Sequence, residues 1–211
     1  MLRIGMLTSG GDCQALNAAM RGVVKGICNK RKDVEIYGFK DGYKGLIYSD
    51  FNMLTSRDFS GILTQGGTIL GTSRQPFKYM RVPDENGLDK VAAMKHTYHK
   101  LNLDCLVILG GNGTQKTANL LREEGLNIIH LPKTIDNDIY GTDITFGFES
   151  APRSKREKFC SSMPWTLRQE LLTASILQQL LTTVYLSLKS WDTKLAGFRF
   201  MPVWQAVLIS F

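Results

Sequence analysis

A short polar segment, Pro132-Lys133-Thr134-Ile135-Asp136-Asn137-Asp138, carries the residue types best suited to chemistry in this 211-residue chain. It places two carboxylates, Asp136 and Asp138, and the hydroxyl of Thr134 directly after an apolar run that is typical of a buried strand. A carboxylate can accept the proton of a substrate hydroxyl during phosphoryl transfer, if that hydroxyl lies within hydrogen-bond reach. The segment therefore predicts a phosphoryl-transfer site acting on a hydroxyl. The alternative, a solvated Asx-turn, is the commoner use of loop carboxylates.

Two glycine-rich turns elsewhere in the chain favour the chemical interpretation. Ser9-Gly10-Gly11-Asp12 and Gly110-Gly111-Asn112-Gly113-Thr114 each follow an apolar run. Glycine lets main-chain N–H groups approach an anion closely, and the N-terminus of the next helix adds a favourable dipole. Each turn alone also fits an ordinary strand-to-helix connection, with Thr114 as a helix cap. The second turn is not a P-loop, because it lacks the GxxxxGK[ST] pattern. It is also not a good dinucleotide fingerprint, because Lys116 occupies the third glycine position.

Strands and helices alternate along residues 1–151 and predict an α/β fold. Apolar runs predict strands over residues 2–7, 34–39, 105–109 and 127–131, and periodic segments predict helices near residues 16–25, 88–101 and 114–124, with a turn over 41–45. This alternation favours a Rossmann-like parallel sheet with helices on both faces. The polar turns would then meet at the carboxyl edge of the sheet, where open α/β sheets bind ligands.

The charge distribution argues against a nucleic-acid partner. Residues 152–211 hold eight Lys and Arg against three Asp and Glu, whereas residues 1–151 hold eighteen against sixteen, which together give the net charge of +7. A short basic run such as that around Arg153 is usually a solvated loop, and no aromatic residues interleave with it. We expect no nucleic acid as a partner.

The remaining composition favours a cytoplasmic protein that does not meet a membrane. No run is apolar enough to span a bilayer, and the N-terminal strand leaves no room for a signal peptide. The four cysteines form no CxxC pair, which fits a reducing cytosol. His96, His99 and His130 do not have metal-ligand spacing, and we interpret them as helix-surface or strand residues.

These motifs together resemble the 6-phosphofructokinase family. The family's motifs are matched in order at residues 7–12, 17–22, 41–46, 66–68, 70–74, 110–114, 132–138 and 141–148. The resemblance covers residues 2–151 and is specific because so many separate motifs keep their order. It implies transfer of a phosphoryl group from ATP, with Mg²⁺, to the 1-hydroxyl of fructose 6-phosphate, giving fructose 1,6-bisphosphate in glycolysis. For an intact member it also implies a cytoplasmic, allosteric homotetramer.

The resemblance also assigns roles to individual residues. Asp136 resembles the general base that activates the 1-hydroxyl, and Thr134, Ile135 and Asp138 resemble substrate contacts. The positions at which the family binds the nucleotide are Gly11, Tyr43, Arg74, Gln75, Gly111, Asn112, Gly113 and Thr114. Taken alone, Arg74 could be a surface arginine and Tyr43 a packing residue.

The chain departs from the family pattern at two places near these residues. Gln14 and Ala15 stand where the family usually has Pro-Gly. Asn112 replaces an aspartate that many members use near magnesium. A neutral amide can still ligate a metal through oxygen, but it lacks the charge that a hard cation prefers. Even so, Asn112 is the one residue to which the resemblance assigns a metal-ligand role.

Two residues give opposite indications of which phosphoryl donor is used. Gly113 resembles ATP users, whereas pyrophosphate users typically carry aspartate there; Lys133 resembles pyrophosphate users. We predict ATP, because an added carboxylate would block ATP by both bulk and charge, and a lysine excludes it less directly. A pyrophosphate-dependent enzyme and a non-catalytic phosphate-ligand-binding fragment are the alternatives. A related NAD or lipid kinase is disfavoured by the 132–138 segment.

The chain changes character after Ala151. Nineteen of its twenty glycines lie before that point and all three tryptophans after it, and the alternation of strands and helices is lost. The family's Met-Gly-(His/Arg) loop and Gly-Trp-Leu strand are not found in residues 152–211. Allowed codons for residues 190–211, read one base earlier, nevertheless spell VMGHKVGWLSFYAGVAGGADII, and residues 175–184 yield a second family-like stretch.

We therefore predict two parts. Residues 1–151 form a phosphofructokinase-like domain that binds the donor and carries the catalytic base. Residues 152–211 are a frame-shifted or misjoined tail, produced by an insertion, an unspliced intron or a misjoined gene. The arginines that hold the sugar phosphate in the family are missing from residues 152–211 in the reading frame given. The chain as written is accordingly predicted to be incomplete and inactive, and no homotetramer is expected for it.

Overall fold

The computed structural model describes residues 1–13 and 15–150, so the break after Ala151 and everything predicted for residues 152–211 lie outside the described residues. The described strands are β1 (Leu2–Ser9), β2 (Val34–Phe39), β3 (Phe51–Leu54), β4 (Cys105–Gly110) and β5 (Ile128–Pro132). The described α-helices are α1 (Ala15–Lys30), α2 (Tyr43–Tyr48), α3 (Lys90–Lys100) and α4 (Asn112–Glu123). Short 3-10 helices cover Ile62–Thr64 and Phe77–Tyr79.

The strands form one sheet in the order β3-β2-β1-β4-β5. Strand β1 pairs in parallel with both β2 and β4, and β4 pairs in parallel with β5. This confirms the predicted α/β fold with one correction: β3 is antiparallel to β2, so the sheet is mixed and mainly parallel. The chain moves from β1 outward to β2 and later returns to the other side of β1 as β4. The sheet therefore has a topological switch point between β1 and β4, where such folds bind ligands.

Two apolar cores cover the two faces of the sheet, as predicted. Ile4 and Met6 of β1 belong to the core that includes the buried face of α1, whereas Leu7 belongs to the core that α2, α3 and α4 share. Strands that are buried on both faces need apolar side chains in both directions. This requirement explains why β1 and β4 read as continuous apolar runs in the sequence.

Several element boundaries differ from the prediction. Helix α1 extends to Lys30, beyond the predicted end at residue 25, and the predicted turn over 41–45 ends at Gly42 because α2 begins at Tyr43. Thr114 is not a helix cap: Gly111 holds the cap position, and Thr114 lies inside the first turn of α4. Among the described helices, none combines the length and apolarity needed to cross a bilayer.

Candidate active site

Strand register brings the three predicted segments to one edge of the sheet. Ser9, the last residue of β1, is paired with Gly110 at the end of β4, and Gly110 is paired with Pro132 at the end of β5. The main-chain N–H of Lys133 continues this ladder with a 2.9 Å hydrogen bond to the carbonyl oxygen of Gly110. The two glycine turns and the acidic segment thus emerge side by side at the switch point.

The first glycine turn is fixed by a loop that includes residues 68–74 and crosses the carboxyl edge of the sheet. Gly10 has a φ of 93°, which glycine adopts without strain. Its N–H donates to the carbonyl oxygen of Ser73 at 3.3 Å, and its own carbonyl accepts the Thr72 hydroxyl at 2.7 Å. Gly11, which follows, is exposed. The loop therefore holds the turn in shape and leaves Gly11 open to solvent.

The same loop is also anchored by Asp12, in the turn before α1, and it continues into Arg74. The carboxylate of Asp12 accepts the main-chain N–H of Thr68 at 3.0 and 3.2 Å. The Ser73 hydroxyl donates to the carbonyl oxygen of Asp41 at 2.5 Å. Arg74 comes directly after this anchored residue and its side chain is exposed, and Gln75 beside it is half-buried. A guanidinium in that position is free to fork onto phosphate oxygens.

Gly110 allows the second glycine turn to pack against the first. A Cβ atom on Gly110 would lie 2.6 Å from both the carbonyl oxygen of Ser9 and the hydroxyl oxygen of Thr114. Gly111 then occupies the cap position of α4 with no side-chain capping bond. The first N–H groups of an α-helix lack partners within the helix, so this end of α4 can bind an anion.

Folding does not require a glycine at position 113, in the first turn of α4. Gly113 is exposed, has no positive φ, and a Cβ there would meet nothing within 4 Å. A larger residue would fit the fold, and in a helix glycine is less favourable than alanine by about 1 kcal/mol. The absence of a side chain at this position therefore fits a site that leaves room for a ligand.

Tyr43 supports α4 from below. Its side chain is fully buried, and its hydroxyl donates to the carbonyl oxygen of Thr114 at 2.9 Å. Burial raises the pKa of the phenol well above its usual value, so it remains a donor. Tyr43 is therefore a packing residue in this fold. A contact between Tyr43 and a nucleotide stays a prediction.

The acidic segment projects beyond β5. Lys133 is 4% exposed, and its Nζ donates a hydrogen bond to the carbonyl oxygen of Gly11. The hydroxyl of Thr134 accepts the main-chain N–H of Asp136 at 3.2 Å. Asp136, Asp138 and Ile135 are all exposed. Both carboxylates are thus available to a ligand at the edge where the two glycine turns lie.

Comparison with known proteins identifies the family. The family model described as phosphofructokinase matches residues 3–158. The chain belongs to the phosphofructokinase family. Among similar proteins, ATP-dependent 6-phosphofructokinase from Spirochaeta thermophila is 61% identical over 154 residues, covering 70% of this chain and 41% of that protein. ATP-dependent 6-phosphofructokinase 3 from Bacteroides thetaiotaomicron is 50% identical over 151 residues, covering 71% of this chain and 44% of that protein.

Solved phosphofructokinase structures share the fold. The enzyme from Saccharomyces cerevisiae superposes with a TM-score of 0.61 at 29% identity, over 71% of this chain and 22% of that chain. A pyrophosphate-dependent phosphofructokinase from Marinobacter aquaeolei gives a TM-score of 0.57 at 19% identity, over 70% of this chain and 37% of that chain, and so supports the fold alone. The chain spans less than half the length of each of these relatives.

The phosphofructokinase fold of this chain brings the two glycine turns and the acidic segment to one edge. It also depends on residues that the sequence motifs did not single out. Asn17 is fully buried in α1 and bonds three main-chain groups of the loop at residues 62–69. Asn137 bonds two main-chain groups beyond the acidic segment. The sequence offers one signal for Asn17 and Asn137, which is that each is an asparagine inside a family motif. The hydrogen-bond partners of both side chains lie in loops whose position only the folded chain defines.

Proposed function

We propose that this chain is the donor-binding and base-bearing part of an ATP-dependent 6-phosphofructokinase. The reaction transfers the terminal phosphoryl group of ATP to the 1-hydroxyl of fructose 6-phosphate. The observation that carries this proposal is the register of β1, β4 and β5, which sets the Gly10 turn, the N-terminus of α4 and Asp136 along one edge. This shared edge supports the proposal, because in-line transfer to a hydroxyl needs anion-binding groups near a carboxylate.

The donor side consists of main-chain groups and two cations. Gly11, Gly111 and Gly113 present backbone without side chains, and the uncapped first turn of α4 supplies N–H groups for phosphate oxygens. The buried ammonium of Lys133 lies under Gly11, and the exposed Arg74 follows the loop that anchors Gly10. Phosphoryl transfer depends mostly on positioning and charge stabilisation of this kind.

The acceptor side depends on Asp136. Its exposed carboxylate can take the proton of the sugar 1-hydroxyl as that oxygen attacks phosphorus, while Thr134 and Asp138 bind the sugar beside it. Thr134 also holds the main-chain N–H of Asp136, so the same residue shapes the loop that carries the base. A positioned general base typically contributes about 10²- to 10⁴-fold to the rate.

The residues present fit a magnesium ion that arrives with the nucleotide. Among residues 1–13 and 15–150 no three His, Cys, Asp or Glu side chains cluster as metal ligands. Mg²⁺ commonly binds through one or two carboxylates together with substrate phosphates and water, and an amide oxygen can ligate it without contributing charge. The exposed amide oxygen of Asn112, at the start of α4, would hold it here. The bound ion would neutralise charge on the phosphoryl group.

Pyrophosphate is the second candidate donor, because Lys133 resembles the residue of pyrophosphate users and its Nζ bonds the Gly10–Gly11 turn. We favour ATP because Gly113 leaves open space at the N-terminus of α4. Calorimetric titration of the full chain with MgATP and with magnesium pyrophosphate would rank the two. Stronger binding of pyrophosphate would reverse the choice.

Residues 1–150 fused to the remaining part of the Spirochaeta thermophila relative would test the reaction itself. We expect this fusion to form fructose 1,6-bisphosphate from ATP. Asp136→Asn should lower kcat by at least about 10²-fold with little change in MgATP binding, since it removes only the base. Asp143→Asn, an exposed carboxylate in the same loop, is the matched control. Unchanged turnover in Asp136→Asn would refute the assignment of the base.

The unfused chain answers a separate question. We expect it to bind MgATP without forming fructose 1,6-bisphosphate, because residues 152–211 lack the family's sugar-phosphate arginines in the translated frame. Sequencing the transcript across codons 145 to 211 tests the frame shift directly. A single open frame through Met-Gly-His and Gly-Trp-Leu would support a misread gene, whereas a transcript identical to the present text would leave a binding module.

A further inference from the structure

The side chain of Asn137 closes a loop immediately after the proposed base. Its Nδ2 donates to the carbonyl oxygen of Asp143 at 2.8 Å, and its Oδ1 accepts the main-chain N–H of Thr145 at 2.8 Å. Asn137 has a φ of 55°, in the left-handed region that asparagine adopts more readily than most residues. Both the conformation and the two bonds therefore select asparagine at this position.

A second set of bonds closes the same loop on the other side of the base. The Thr145 hydroxyl donates to the carbonyl oxygen of Thr134 at 2.7 Å, and the Thr134 N–H donates to the carbonyl oxygen of Phe146 at 3.0 Å. The Phe146 N–H returns to the carbonyl oxygen of Pro132 at 3.0 Å. Asp136 thus lies between two anchored points, Thr134 and Asn137.

The carboxylate of Asp136 has to be held by its backbone. Its side chain is exposed, and its main-chain N–H is bonded to Thr134. A reacting group that is misplaced by about 1 Å can cost roughly 10²-fold in rate. The direction of this side chain therefore depends on how rigidly residues 134–138 are fixed.

We propose that Asn137 is a positioning residue, whose two side-chain hydrogen bonds fix the backbone that aims Asp136 and Asp138. This inference rests on the proposed function, since it concerns the same base. It assigns to Asn137 a role in the order of residues 136–138, separate from any contact with substrate. The anchored residues on the far side of the loop, Asp143 and Thr145, contribute main-chain groups.

The test measures backbone order in the full chain by NMR relaxation, together with amide hydrogen exchange at Thr145. Asn137→Gly permits the positive φ and removes both side-chain bonds. We expect the order parameters of residues 136–138 to fall from about 0.85 to below about 0.6. Exchange at the Thr145 amide should become at least about tenfold faster, while the amides of β4 keep their protection. A general loss of stability would instead accelerate exchange in β4 as well.

Two further variants separate the bonds from the backbone conformation. Asn137→Asp keeps an oxygen acceptor for Thr145 and loses the donor to Asp143, so the Thr145 amide should stay protected while residue 143 gains mobility. Asn102→Gly is the matched control: Asn102 has a φ of 48° and precedes β4, at the opposite edge of the sheet. It should leave residues 136–138 unchanged.

Unchanged order at residues 136–138 in Asn137→Gly would overturn the proposal. These measurements need no turnover, so they are independent of the proposed function. If the order falls as expected but Asp136→Asn leaves the fused enzyme fully active, the proposed function fails and the structural role of Asn137 stands.

Discussion

The ammonium group of Lys133 lies beneath the first glycine turn, where its Nζ donates a hydrogen bond to the main-chain carbonyl oxygen of Gly11. Lys133 is buried, whereas Gly11 is exposed. The bond joins the turn after β1 to the segment after β5 that carries Asp136. A fixed cation under an exposed glycine turn makes the local potential favourable for anions.

Lys133→Met should weaken anion binding more than it weakens the fold. Methionine is an unbranched side chain one heavy atom shorter than lysine, and it removes the charge. The carbonyl oxygen of exposed Gly11 can bond water instead. We expect the Kd for MgATP to rise about tenfold, the equivalent of about 1.4 kcal/mol. Calorimetric titration would measure the affinity, and thermal unfolding would measure stability.

Lys100→Met provides the charge-matched control for that experiment. Lys100 is exposed at the end of α3, near the amino edge of the sheet. It should leave the Kd within about twofold, because exposed charges farther apart than about 10 Å are screened at ordinary salt. Equal losses in both variants would show that net charge, and not the position of Lys133, sets the affinity.

Gly113→Asp should separate binding from stability. The fold has open space at this position, and an acidic residue near a helix N-terminus is stabilising by about 0.3–1 kcal/mol. We therefore expect the melting temperature to stay equal or rise while the Kd for MgATP increases at least about tenfold, because the carboxylate repels phosphate. Gly113→Ala should keep the affinity within about threefold. MgATP binding that survives the aspartate would contradict a donor site at this end of α4.

The longer strands and helices could be predicted because each has a clear local pattern of apolar and polar residues. Strands β1, β2, β4 and β5 are mainly apolar runs that are each followed by glycine or a polar residue, and their observed bounds lie close to the predicted ones. Strand β3 gave no signal, since it has only four residues on an exposed edge with Asn52 and Met53 pointing into solvent. Helix α2 was missed because it follows the turn at Gly42 and contains Gly45.

The site could be predicted in its residue types but not in its supporting contacts. The family motifs carried Asp136 and the glycine turns, and register explains why they meet. The sequence predicts a donor-selectivity role for Lys133 but not its bond to Gly11, which joins residues far apart in the chain. The partners of Asn17 and Asn137 are main-chain groups of irregular loops, which have no periodic pattern to reveal their positions.

Asn17→Leu should destabilise the fold through the loop that supports the Gly10 turn. The Asn17 side chain donates to the carbonyl oxygens of Ile62 and Gly67 at 3.1 and 2.6 Å and accepts the Ile69 N–H at 3.0 Å. Leaving a buried main-chain group unpaired costs about 1–3 kcal/mol. Ile62 is buried, whereas Gly67 and Ile69 are half-buried and can bond water at a smaller cost, so we expect a total loss of roughly 2–4 kcal/mol. Urea unfolding would measure it. Asn29→Leu, exposed at the end of α1, should stay within about 0.5 kcal/mol, and an equal loss there would remove the special role of Asn17.

His130 should make the stability of the domain depend on pH. Its Nε2 is buried in β5 and has no hydrogen-bond partner among the described residues. Burial lowers the pKa of the imidazole from 6.5 to about 4, against the smaller opposing effect of the Gly110 main chain. The folded state therefore resists protonation at pH values where the unfolded chain already binds a proton.

The sign of the effect follows from this difference. Well above pH 6.5 His130 is neutral in both states and its stabilising contribution is complete. As the pH falls from 6.5 toward 4, the unfolded state binds more protons, and the free energy of unfolding should decrease by up to about 1.4 kcal/mol per pH unit. Carboxyl groups with lowered pKa values, such as Asp33 and Asp58, titrate below this range. Urea unfolding between pH 7 and 5 therefore isolates the histidine.

His130→Val should flatten this pH dependence, because valine suits a strand and cannot bind a proton. His96→Ala, an exposed histidine on α3, should leave the slope as it is in the unmodified chain. A slope that persists in His130→Val would assign the effect to another group. If the slope disappears in His130→Val and remains in His96→Ala, the neutral imidazole in the middle of β5 limits the stability of the strand that presents Asp136.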